Sequence, residues 1–396
     1  MALNTKPKIL IFSDWYAPAF KGGGPIRSIV NLVEALKQEY EFYVYTTDTD
    51  FGEHAPMTGI VADQWLHIED VQIYYRSTHS LSFTNVKSLI REINPHRIYL
   101  NSMFSNMIKP ILAGYQSEKI IIAPRGMLSN SALAVKPIRK FLYLWLLRTF
   151  GFAKYLNFHA TSEPEVKDIQ RIFPNAKTIN VAGNIPVRIE ATLPQAIKAS
   201  NAIQLVFTGR MHPIKNLHLL LQALKTLKGQ IILNIIATKE DDAYLDKCQQ
   251  LANELGKDIQ VNWLLDLPHH QVKPYLQGAH FFVLLSEVES FGHAIFEALA
   301  VGCPVLISDQ TPWTNLQEKK AGWDLSTSDP NLITATLQAL VDMDDYEWQS
   351  YRNGSLNLAE SYVKRLNVDK EYSILFENRF NFNPLNDHDN QPPTLR

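Results

Sequence analysis

The first half of the sequence alternates between short apolar or β-branched runs and longer stretches with helical spacing. The strand candidates are KILIF, YEFYVYTT, RIYL, KIIIAP and YLNFHAT, and the first helix candidate runs from about Pro25 to Lys37. Strands that alternate with helices are typical of a parallel sheet with helices packed against it. We therefore predict an α/β domain over residues 1–185.

The same alternation starts again after residues 186–201, a segment without a clear period that we interpret as a linker. Five strand candidates follow, namely QLVFTG, QIILNIIAT, IQVNWL, HFFVLL and PVLISD. They predict a second α/β domain over residues 202–365. A long helical stretch begins near Tyr346, and its last part, 366–381, is predicted to return to the first domain. The polar tail 382–396 is predicted to be disordered.

Length and composition agree with two globular domains. A chain of 396 residues suits two domains of about 100 to 200 residues each. Only two cysteines occur, Cys248 and Cys303, so no disulfide framework is predicted and a reducing cytoplasm is the simplest setting. No run approaches the roughly 20 apolar residues of a membrane span, so we expect any membrane contact to be peripheral.

Charge is distributed unevenly, although the formal net charge is only -2. Residues 119–162 contain seven Lys and Arg but no Asp or Glu, which indicates an anionic partner. Within this stretch, KPIRKFLYLWLLRTFGF (residues 136–152) would suit an interfacial helix on an anionic membrane. A buried helix would have the same pattern, and we favour burial for the face of Trp145. No nucleic-acid partner is predicted.

The segment FTGRMHPIKN (Phe207–Asn216) places two cations after a predicted strand. The strand ends at Gly209, and Pro213 suits the first turn of a helix whose leucines face inward. Arg210 and Lys215 would then lie at the carboxyl edge of the sheet beside a helix N-terminus, a place that suits a diphosphate. Two solvated charges in an ordinary loop are the alternative.

The segment EVESFGHAIFEALAVGCPV (Glu287–Val305) brings two carboxylates to the end of another predicted strand. Glu289 opens the loop, and Gly292 permits close backbone approach. The helix that follows is predicted to start near His293 and to carry Glu297 about one turn in. Its first N–H groups could bind phosphate, and the carboxylates could accept hydrogen bonds from sugar hydroxyls. One acid at a helix start and one on the surface is the alternative.

Three glycines, Gly22, Gly23 and Gly24, lie between the first predicted strand and the first predicted helix. Their backbone could approach a phosphate closely, although the spacing is neither a dinucleotide fingerprint nor a Walker loop. A plain flexible turn is the alternative. We favour closure over the phosphates of a ligand, with Arg27 as a further candidate.

Two patterns resemble metal sites but lack a supporting cluster. The D-T-D sequence at 48–50 has the D-x-D form, but Asp commonly ends a strand or starts a turn. His269 and His270 have no further ligands at metal-site spacing in the sequence. We therefore predict no metal, because the two cations described above would neutralise a diphosphate by themselves.

GRMHPIKN, followed by E-x7-E and a GCPV strand entry, resembles the retaining family 4 glycosyltransferases, which have the GT-B fold. The resemblance covers nearly the whole chain and includes KGGGPIRS, YLNSMFS, APRGMLS, HATSEPE and ISDQTPW. It implies two Rossmann-like domains that face each other across a cleft, with a nucleotide-sugar donor held mainly by the second. Relatives in capsule, exopolysaccharide or lipopolysaccharide synthesis are the nearest in style.

The resemblance also implies roles for individual residues. Arg210 and Lys215 would bind the donor diphosphate, and Glu297 the ribose. Glu289 would contact the hexose and form the catalytic set with the two cations. The full donor-binding set comprises Gly22, Gly23, Gly24, Gly209, Arg210, Lys215, Glu289, Ser290, Phe291, Gly292 and Glu297.

Two departures from the family pattern matter. Asn101 stands where many members have a His near the donor sugar, and we assign it, with Arg27 and Arg125, to the donor-sugar or acceptor side. The turn ATKEDD (Ala237–Asp242) replaces the usual glycine-rich turn, so the sequence does not predict how a base is recognised.

The implied activity is transfer of a sugar from a nucleoside-diphosphate sugar to a glycan or lipid-linked acceptor. Configuration would be retained, and no cofactor or metal ion would be needed. A nucleotide-sugar 2-epimerase of the same shape and a non-catalytic nucleotide-sugar-binding protein are the alternatives. The E-x7-E pattern disfavours the first, and the intact motif residues disfavour the second. The expected location is the cytoplasm or the inner face of its membrane.

Overall fold

The computed structural model describes residues 6–77, 83–107, 118–149, 155–189 and 196–377. This part of the chain divides into two compact units. The first comprises residues up to Ile185 together with those from Leu366 onward, and the second runs from Pro186 to Arg365. Residues 190–195 of the predicted linker and the predicted tail 382–396 lie outside the described residues.

The first unit is built on a sheet of eight strands. In chain order they are β1 (Lys8–Phe12), β2 (Glu41–Thr47), β3 (Trp65–Ile68), β4 (Val71–Arg76), β5 (Arg97–Asn101), β6 (Ile120–Ala123), β7 (Asn157–Ala160) and β8 (Thr178–Val181). Their spatial order is β3-β4-β2-β1-β5-β6-β7-β8. Neighbouring strands are parallel except for β3 and β4 at one edge. The predicted parallel sheet is confirmed.

Helices cover both faces of this sheet. They are α1 (Gly24–Leu36), α2 (Phe83–Ile93), α3 (Asn130–Ala134), α4 (Pro137–Thr149) and α5 (Glu163–Ile172). Because side chains alternate along a strand, Leu10 and Phe12 of β1 join one core and Ile9 and Ile11 join the other. The buried residues of α1 belong mainly to the second core, and those of α2, α4 and α5 to the first. This is a doubly wound α/β unit.

The second unit contains a sheet of six strands. They are β9 (Ala202–Arg210), β10 (Gln230–Thr238), β11 (Ile259–Leu265), β12 (Phe281–Leu284), β13 (Val305–Ser308) and β14 (Gly322–Leu325). The spatial order is β11-β10-β9-β12-β13-β14, and every neighbouring pair is parallel. The five predicted strands are confirmed. β14 is additional, because its four residues, GWDL, have no apolar periodicity.

The helices of the second unit are α6 (Leu217–Leu224), α7 (Asp242–Asn253), α8 (Lys273–Gly278), α9 (His293–Ala300), α10 (Pro330–Asp342) and α11 (Asp345–Arg365). The predicted start of α9 near His293 is confirmed. The predicted start at Pro213 is wrong, because Pro213–Lys215 forms only a single 3-10 turn. Asn216 then has a positive φ of 53°, which interrupts the helical path before α6 begins.

The predicted C-terminal helical stretch consists of two helices, α11 and α12 (Val368–Glu377). Asn367 separates them, and its side chain accepts a hydrogen bond from the N–H of Lys370 at 3.1 Å, as an N-cap does. α12 belongs to the first unit. There Tyr372 donates to the carbonyl of Gly183 at 3.0 Å and is buried in the core with its neighbours on α12.

The prediction that the Trp145 face of helix α4 is buried is wrong. Leu144 and Leu147 are the α4 residues buried in the core, whereas Trp145 is 50% exposed. The sequence of α4 carries apolar residues all round, so periodicity does not reveal which side packs on the sheet. Residues 150–152 of the predicted segment lie outside the described residues.

Both cysteines are buried free thiols. Burial raises the pKa of Cys303 to about 12, so this residue remains a protonated, unreactive thiol. Within the described ranges, no helix has both the length and the apolar character to cross a bilayer.

A buried chain of hydrogen bonds runs through the first unit from Arg125 to the main chain. Arg125 Nη2 donates to the hydroxyl of Tyr99 at 2.8 Å, and this hydroxyl donates to Nδ1 of His159 at 2.7 Å. Nε2 of His159 donates to the carbonyl of Ala182 at 2.8 Å. His159 is therefore a neutral imidazole with both nitrogens engaged. Burial, helped by the charge of Arg125, lowers its pKa to about 3.

We expect Gly354→Ala to destabilise the second unit, although Ala normally favours a helix interior over Gly. A Cβ at Gly354 on α11 would lie 2.1 Å from the carbonyl oxygen of Lys320, so the helix would have to move away from this segment. The expected loss in the free energy of unfolding is about 2 kcal/mol or more, measured by urea denaturation. Gly256→Ala is the matched control, because a Cβ there meets nothing within 4 Å. An unchanged stability of G354A would contradict this packing.

We expect the protein to lose stability as the pH falls from about 6.5 toward 3, because of His159. In this window the unfolded chain binds a proton that the folded protein excludes, at about 1.4 kcal/mol per pH unit for one site. His159→Gln should reduce the slope in urea unfolding measured across this range, and His54→Gln, at an exposed histidine, should not. The buried His280, with a pKa lowered by burial to about 4, should add to the acid sensitivity in the same direction. An H159Q slope equal to that of wild type would argue against the neutral buried imidazole.

Candidate functional site

The predicted cations of the second unit lie where its parallel strands end. Arg210 is the last residue of β9, and Lys215 closes the 3-10 turn that follows. The N–H of Met211 donates to the carbonyl of Thr238 at 2.8 Å, which joins this loop to the end of β10. The N–H of Glu287 donates to the carbonyl of Ile214 at 2.9 Å, which joins it to the loop after β12. The ends of three strands are thereby held together.

Arg210 is paired with a residue that the sequence did not single out. Its Nη1 lies 2.8 and 2.9 Å from the two carboxylate oxygens of Glu240, which follows β10. Glu240 is part of the ATKEDD turn, which the sequence marked only as a departure from the family pattern. The two residues are 30 positions apart, so only the pairing of β9 with β10 brings them together.

Lys215 is paired with Glu289 in a more buried setting. Its Nζ lies 2.5 Å from Oε1 of Glu289, and both side chains are only about 15% exposed (15% and 14%). The hydroxyl of Ser286 donates to the same oxygen at 2.9 Å. Charge-assisted bonds are strongest where water is largely excluded, so this pair orients both side chains. The structure therefore brings two of the predicted catalytic residues into direct contact.

The N-terminus of α9 meets the same loop. Gly292 caps the helix with a φ of 78°, and no side chain caps the helix or places an acid in its first turn. A Cβ at Gly292 would lie 2.7 Å from Cδ1 of Ile295, so the site requires glycine here for space as well as conformation. The positive end of the α9 dipole is therefore not neutralised by its own first turn.

Phe291 and Ser290 occupy different environments in this loop. The Phe291 ring is buried against Trp313, and its carbonyl accepts a 2.6 Å hydrogen bond from Nε1 of that tryptophan. Ser290 is exposed. Phe291 thus anchors the loop to the core of the second unit, and only its backbone could contribute to a donor site.

Glu297 lies one turn into α9, as predicted, and faces the end of β11. Its Oε1 lies 2.9 Å from Nε2 of His269, with the side chains 13% and 33% exposed. His269 belongs to a 3-10 turn, His269–Gln271, that follows β11. In the sequence analysis His269 was considered only as a possible metal ligand, so its contact with Glu297 was not predicted. Among the described residues, no group of three or more His, Cys, Asp or Glu could hold a metal ion.

Gly209 lies in β9 beside Ala237 of β10. A Cβ at Gly209 would lie 3.7 Å from Cγ of Lys215, which is an ordinary van der Waals contact. A larger side chain would press on the stem of Lys215. The role of Gly209 is therefore to leave room for that lysine.

The glycine loop of the first unit is held by the predicted D-x-D motif. Asp50 accepts hydrogen bonds from the N–H groups of Phe20 at 2.9 Å and Lys21 at 3.2 Å. Gly23, with a φ of 67°, then starts α1, while Gly22 and Gly24 flank it. Arg27 follows on the first turn of α1 and is half-buried. Asp50 is buried and acts on the main chain of this loop, as an Asx residue in a turn does.

Asn101 and Arg125 are in direct contact in the first unit. Nε of Arg125 donates to Oδ1 of Asn101 at 3.1 Å, and Nη1 donates to Oδ1 of Asn184 at 2.8 Å. The amide of Asn101 also donates to the carbonyl of Pro25 at 3.3 Å, next to the glycine loop. Of the predicted first-unit residues, Asn101 and Arg125 therefore form a polar cluster at the carboxyl ends of β5 and β6.

The chain is similar in sequence to known glycosyltransferases. Residues 189–349 match the family described as Glycosyl transferases group 1. The chain is 33% identical over 150 residues to D-inositol 3-phosphate glycosyltransferase of Corynebacterium urealyticum, covering 35% of each protein. It is 29% identical over 132 residues to GDP-mannose:cellobiosyl-diphosphopolyprenol alpha-mannosyltransferase of Xanthomonas oryzae pv. oryzae, covering 33% of this chain and 34% of that one. The matched region thus spans about a third of each of these two relatives.

Solved structures extend the likeness to both units. Sucrose-phosphate synthase from Thermosynechococcus elongatus superposes with a TM-score of 0.69, at 16% identity, over 94% of this chain and 100% of that one. At this identity the likeness concerns the fold. The family match thus covers residues 189–349, and the two Rossmann-like units of the chain have the GT-B fold.

Proposed function

We propose that this chain is a glycosyltransferase that moves a sugar from a nucleoside-diphosphate sugar to a glycan or lipid-linked acceptor. One observation carries the proposal. Arg210 and Lys215 lie at the carboxyl edge of the second sheet, in the same loop cluster as the uncapped start of α9. The curated relatives support it, since both are named as glycosyltransferases and one is named for GDP-mannose.

The donor diphosphate would bind between the two cations and the first turn of α9. Arg210 offers a planar fork of donors, Lys215 a point charge, and the helix start a partial positive charge. In the structure these cations are paired with Glu240 and Glu289. Donor binding would exchange these carboxylates for phosphate oxygens and release Glu289 toward the hydroxyls of the hexose.

Glu297 would accept hydrogen bonds from the two ribose hydroxyls. His269 donates to Oε1 of Glu297, which helps to fix the orientation of the carboxylate. A carboxylate has further lone pairs to offer to a ligand. The position of this pair beyond the end of β11 suggests that the base lies on that side of the site.

The proposed reaction breaks the bond between the anomeric carbon and the donor phosphate oxygen, and the electron pair leaves with the diphosphate. The sugar passes through an oxocarbenium-like state while negative charge builds on the leaving group. Arg210, Lys215 and the start of α9 stabilise this charge. The acceptor hydroxyl attacks from the same face, and its proton passes to the released phosphate oxygen. Configuration is thereby retained without a metal ion.

A covalent route through Glu289 is less favourable. In the donor complex its carboxylate would accept hydrogen bonds from the hydroxyls of the hexose, which directs it away from attack on the anomeric carbon. In the first unit, Gly22–Gly24, Arg27, Asn101 and Arg125 are assigned to the donor-sugar or acceptor side by family resemblance.

The proposed pathway is bacterial surface-polysaccharide synthesis at the inner face of the cytoplasmic membrane. The Xanthomonas relative is named for a diphosphopolyprenol, which supports a lipid-linked acceptor here. Two other functions remain as alternatives: a nucleotide-sugar 2-epimerase and a non-catalytic nucleotide-sugar-binding protein. An epimerase would interconvert nucleotide sugars without an acceptor, and a binding protein would neither hydrolyse nor transfer the sugar.

We expect one nucleoside diphosphate to bind without Mg²⁺, and Arg210→Ala/Lys215→Ala to weaken this binding about 100-fold or more through loss of two charge-assisted contacts. The measurement is calorimetry with UDP, GDP, ADP, dTDP and CMP, with and without Mg²⁺. The control, Lys225→Ala/Lys364→Ala, removes equal charge from two other ion pairs of the second unit and should bind normally.

Three results would contradict parts of the proposal. Failure of folded wild-type protein to bind any of these ligands would overturn the donor site. Binding that requires Mg²⁺ would overturn the metal-independent mechanism. Binding of the sugar donor, with no transfer to any lipid-linked or glycan acceptor and no slow hydrolysis, would favour the non-catalytic alternative.

We expect Glu240→Gln to tighten nucleoside-diphosphate binding by about tenfold. The substitution removes the carboxylate that competes for Arg210 and repels the incoming diphosphate. The same calorimetric titration measures this, and the gain should shrink at high salt. Glu254→Gln, which breaks the ion pair with Lys225, is the matched control and should leave affinity unchanged. Weaker binding by E240Q would mean that Glu240 supports Arg210 in the bound state instead of competing with the ligand.

A further inference from the structure

Helix α4 of the first unit presents an apolar stripe to solvent. The stripe consists of Ile138, Phe141, Leu142 and Trp145, which have i, i+3, i+4, i+7 spacing and therefore lie along one side of the helix. Ile138 is 81% exposed and Phe141 71%. Contiguous exposed apolar surface of this kind marks an interaction site on most soluble domains. We propose that the α4 stripe docks the first unit on an anionic membrane surface.

The outward orientation of this stripe follows from how α4 is anchored. Leu144 and Leu147, on the opposite side of the helix, are buried in the core of the first unit. On the same inner side, Lys140 donates to the carbonyl of Ala132 at 2.6 Å and lies over the ring of Phe104. Turning the stripe inward would expose the leucines and break both contacts. The apolar stripe is thus held at the surface by the fold.

Two arginines flank the stripe. At about 100° per residue, Arg139 lies to one side of the line through Ile138 and Trp145, and Arg148 lies to the other. Both guanidinium-bearing side chains are exposed. Arginines at the border of an apolar helical face can keep their charge at the level of lipid phosphates while their stems cover apolar surface.

The charge around α4 favours binding to an anionic surface. Residues 119–162 contain no Asp or Glu and seven Lys and Arg, so no carboxylate of this stretch opposes a negative surface. Each basic residue near an anionic membrane contributes about 1 kcal/mol, and the apolar stripe adds its own transfer free energy. Neither contribution alone gives stable binding, but an interfacial helix combines both.

A membrane fits the shape of the surface better than a protein groove does. The stripe lies on the convex side of a single helix of 13 residues, about 20 Å long, which would lie flat in the headgroup layer. Trp145 and Phe141 would insert at the boundary between headgroups and acyl chains. This docking is independent of the proposed sugar transfer, although it would bring the first unit within reach of a lipid-linked acceptor.

The test is flotation of the full chain with two kinds of vesicle, phosphatidylcholine alone and equal parts of phosphatidylcholine and phosphatidylglycerol. Wild type is expected to float with the anionic vesicles and to be released by high salt. Phe141→Ser/Trp145→Ser should reduce partitioning at least about tenfold. Arg139→Gln/Arg148→Gln should reduce it about fivefold per arginine and remove most of the lipid selectivity.

The control is Tyr346→Ser, which removes another large exposed side chain, 89% exposed, from the second unit. It should float as wild type does, and thermal melts should show all variants folded because every substituted side chain is exposed. Equal flotation of wild type and F141S/W145S, or no preference for anionic vesicles, would overturn the proposal. So would a wild-type dimer that F141S/W145S converts to a monomer, since the stripe would then be an interface between two copies.

Discussion

In a parallel sheet every strand ends at the same edge, and this constraint decides where the polar residues of each unit gather. In the second unit the ends of β9, β10 and β12 deliver Arg210, Glu240 and Glu289 to neighbouring loops. In the first unit the ends of β5 and β6 deliver Asn101 and Arg125. The helices that follow start at this edge too, so their free N–H groups and positive dipole ends point to the same place. A binding site for an anion at such an edge requires little more than suitable side chains.

In the second unit both cations are held in ion pairs. A partly exposed pair such as Arg210 and Glu240 contributes little to stability, because solvent screens it and the two side chains lose conformational freedom in forming it. The more buried pair of Lys215 and Glu289 costs more to separate, since water reaches it poorly. A ligand that replaces both carboxylates must therefore offer at least as much negative charge at the same distance. A diphosphate would meet this requirement, whereas a neutral sugar would not.

The sequence predicted those parts of the fold and site that depend on local pattern. Strong apolar runs marked the strands of both sheets, and Gly292 before an apolar-periodic segment marked the start of α9. The partners Glu240 and His269 were missed because they lie about 30 residues from Arg210 and Glu297, and only the tertiary fold brings each pair together. The prediction that the Trp145 face is buried was wrong for a different reason. A helix that is apolar on all sides gives no periodic signal, so only tertiary packing shows which stripe remains outside.

The return of the chain through α12 has a consequence for how the protein is made. Tyr372, Leu375 and Phe376 complete a core whose other members come mostly from the first 185 residues. A ribosome must therefore synthesise the entire second unit before the first unit can close this core. Until then Tyr40 and Tyr99, whose rings contact Phe376, lack part of their cover, while the second unit, continuous in sequence, can already fold. Helix α12, synthesised after the second unit, thus completes the core of a unit whose other residues are synthesised before it.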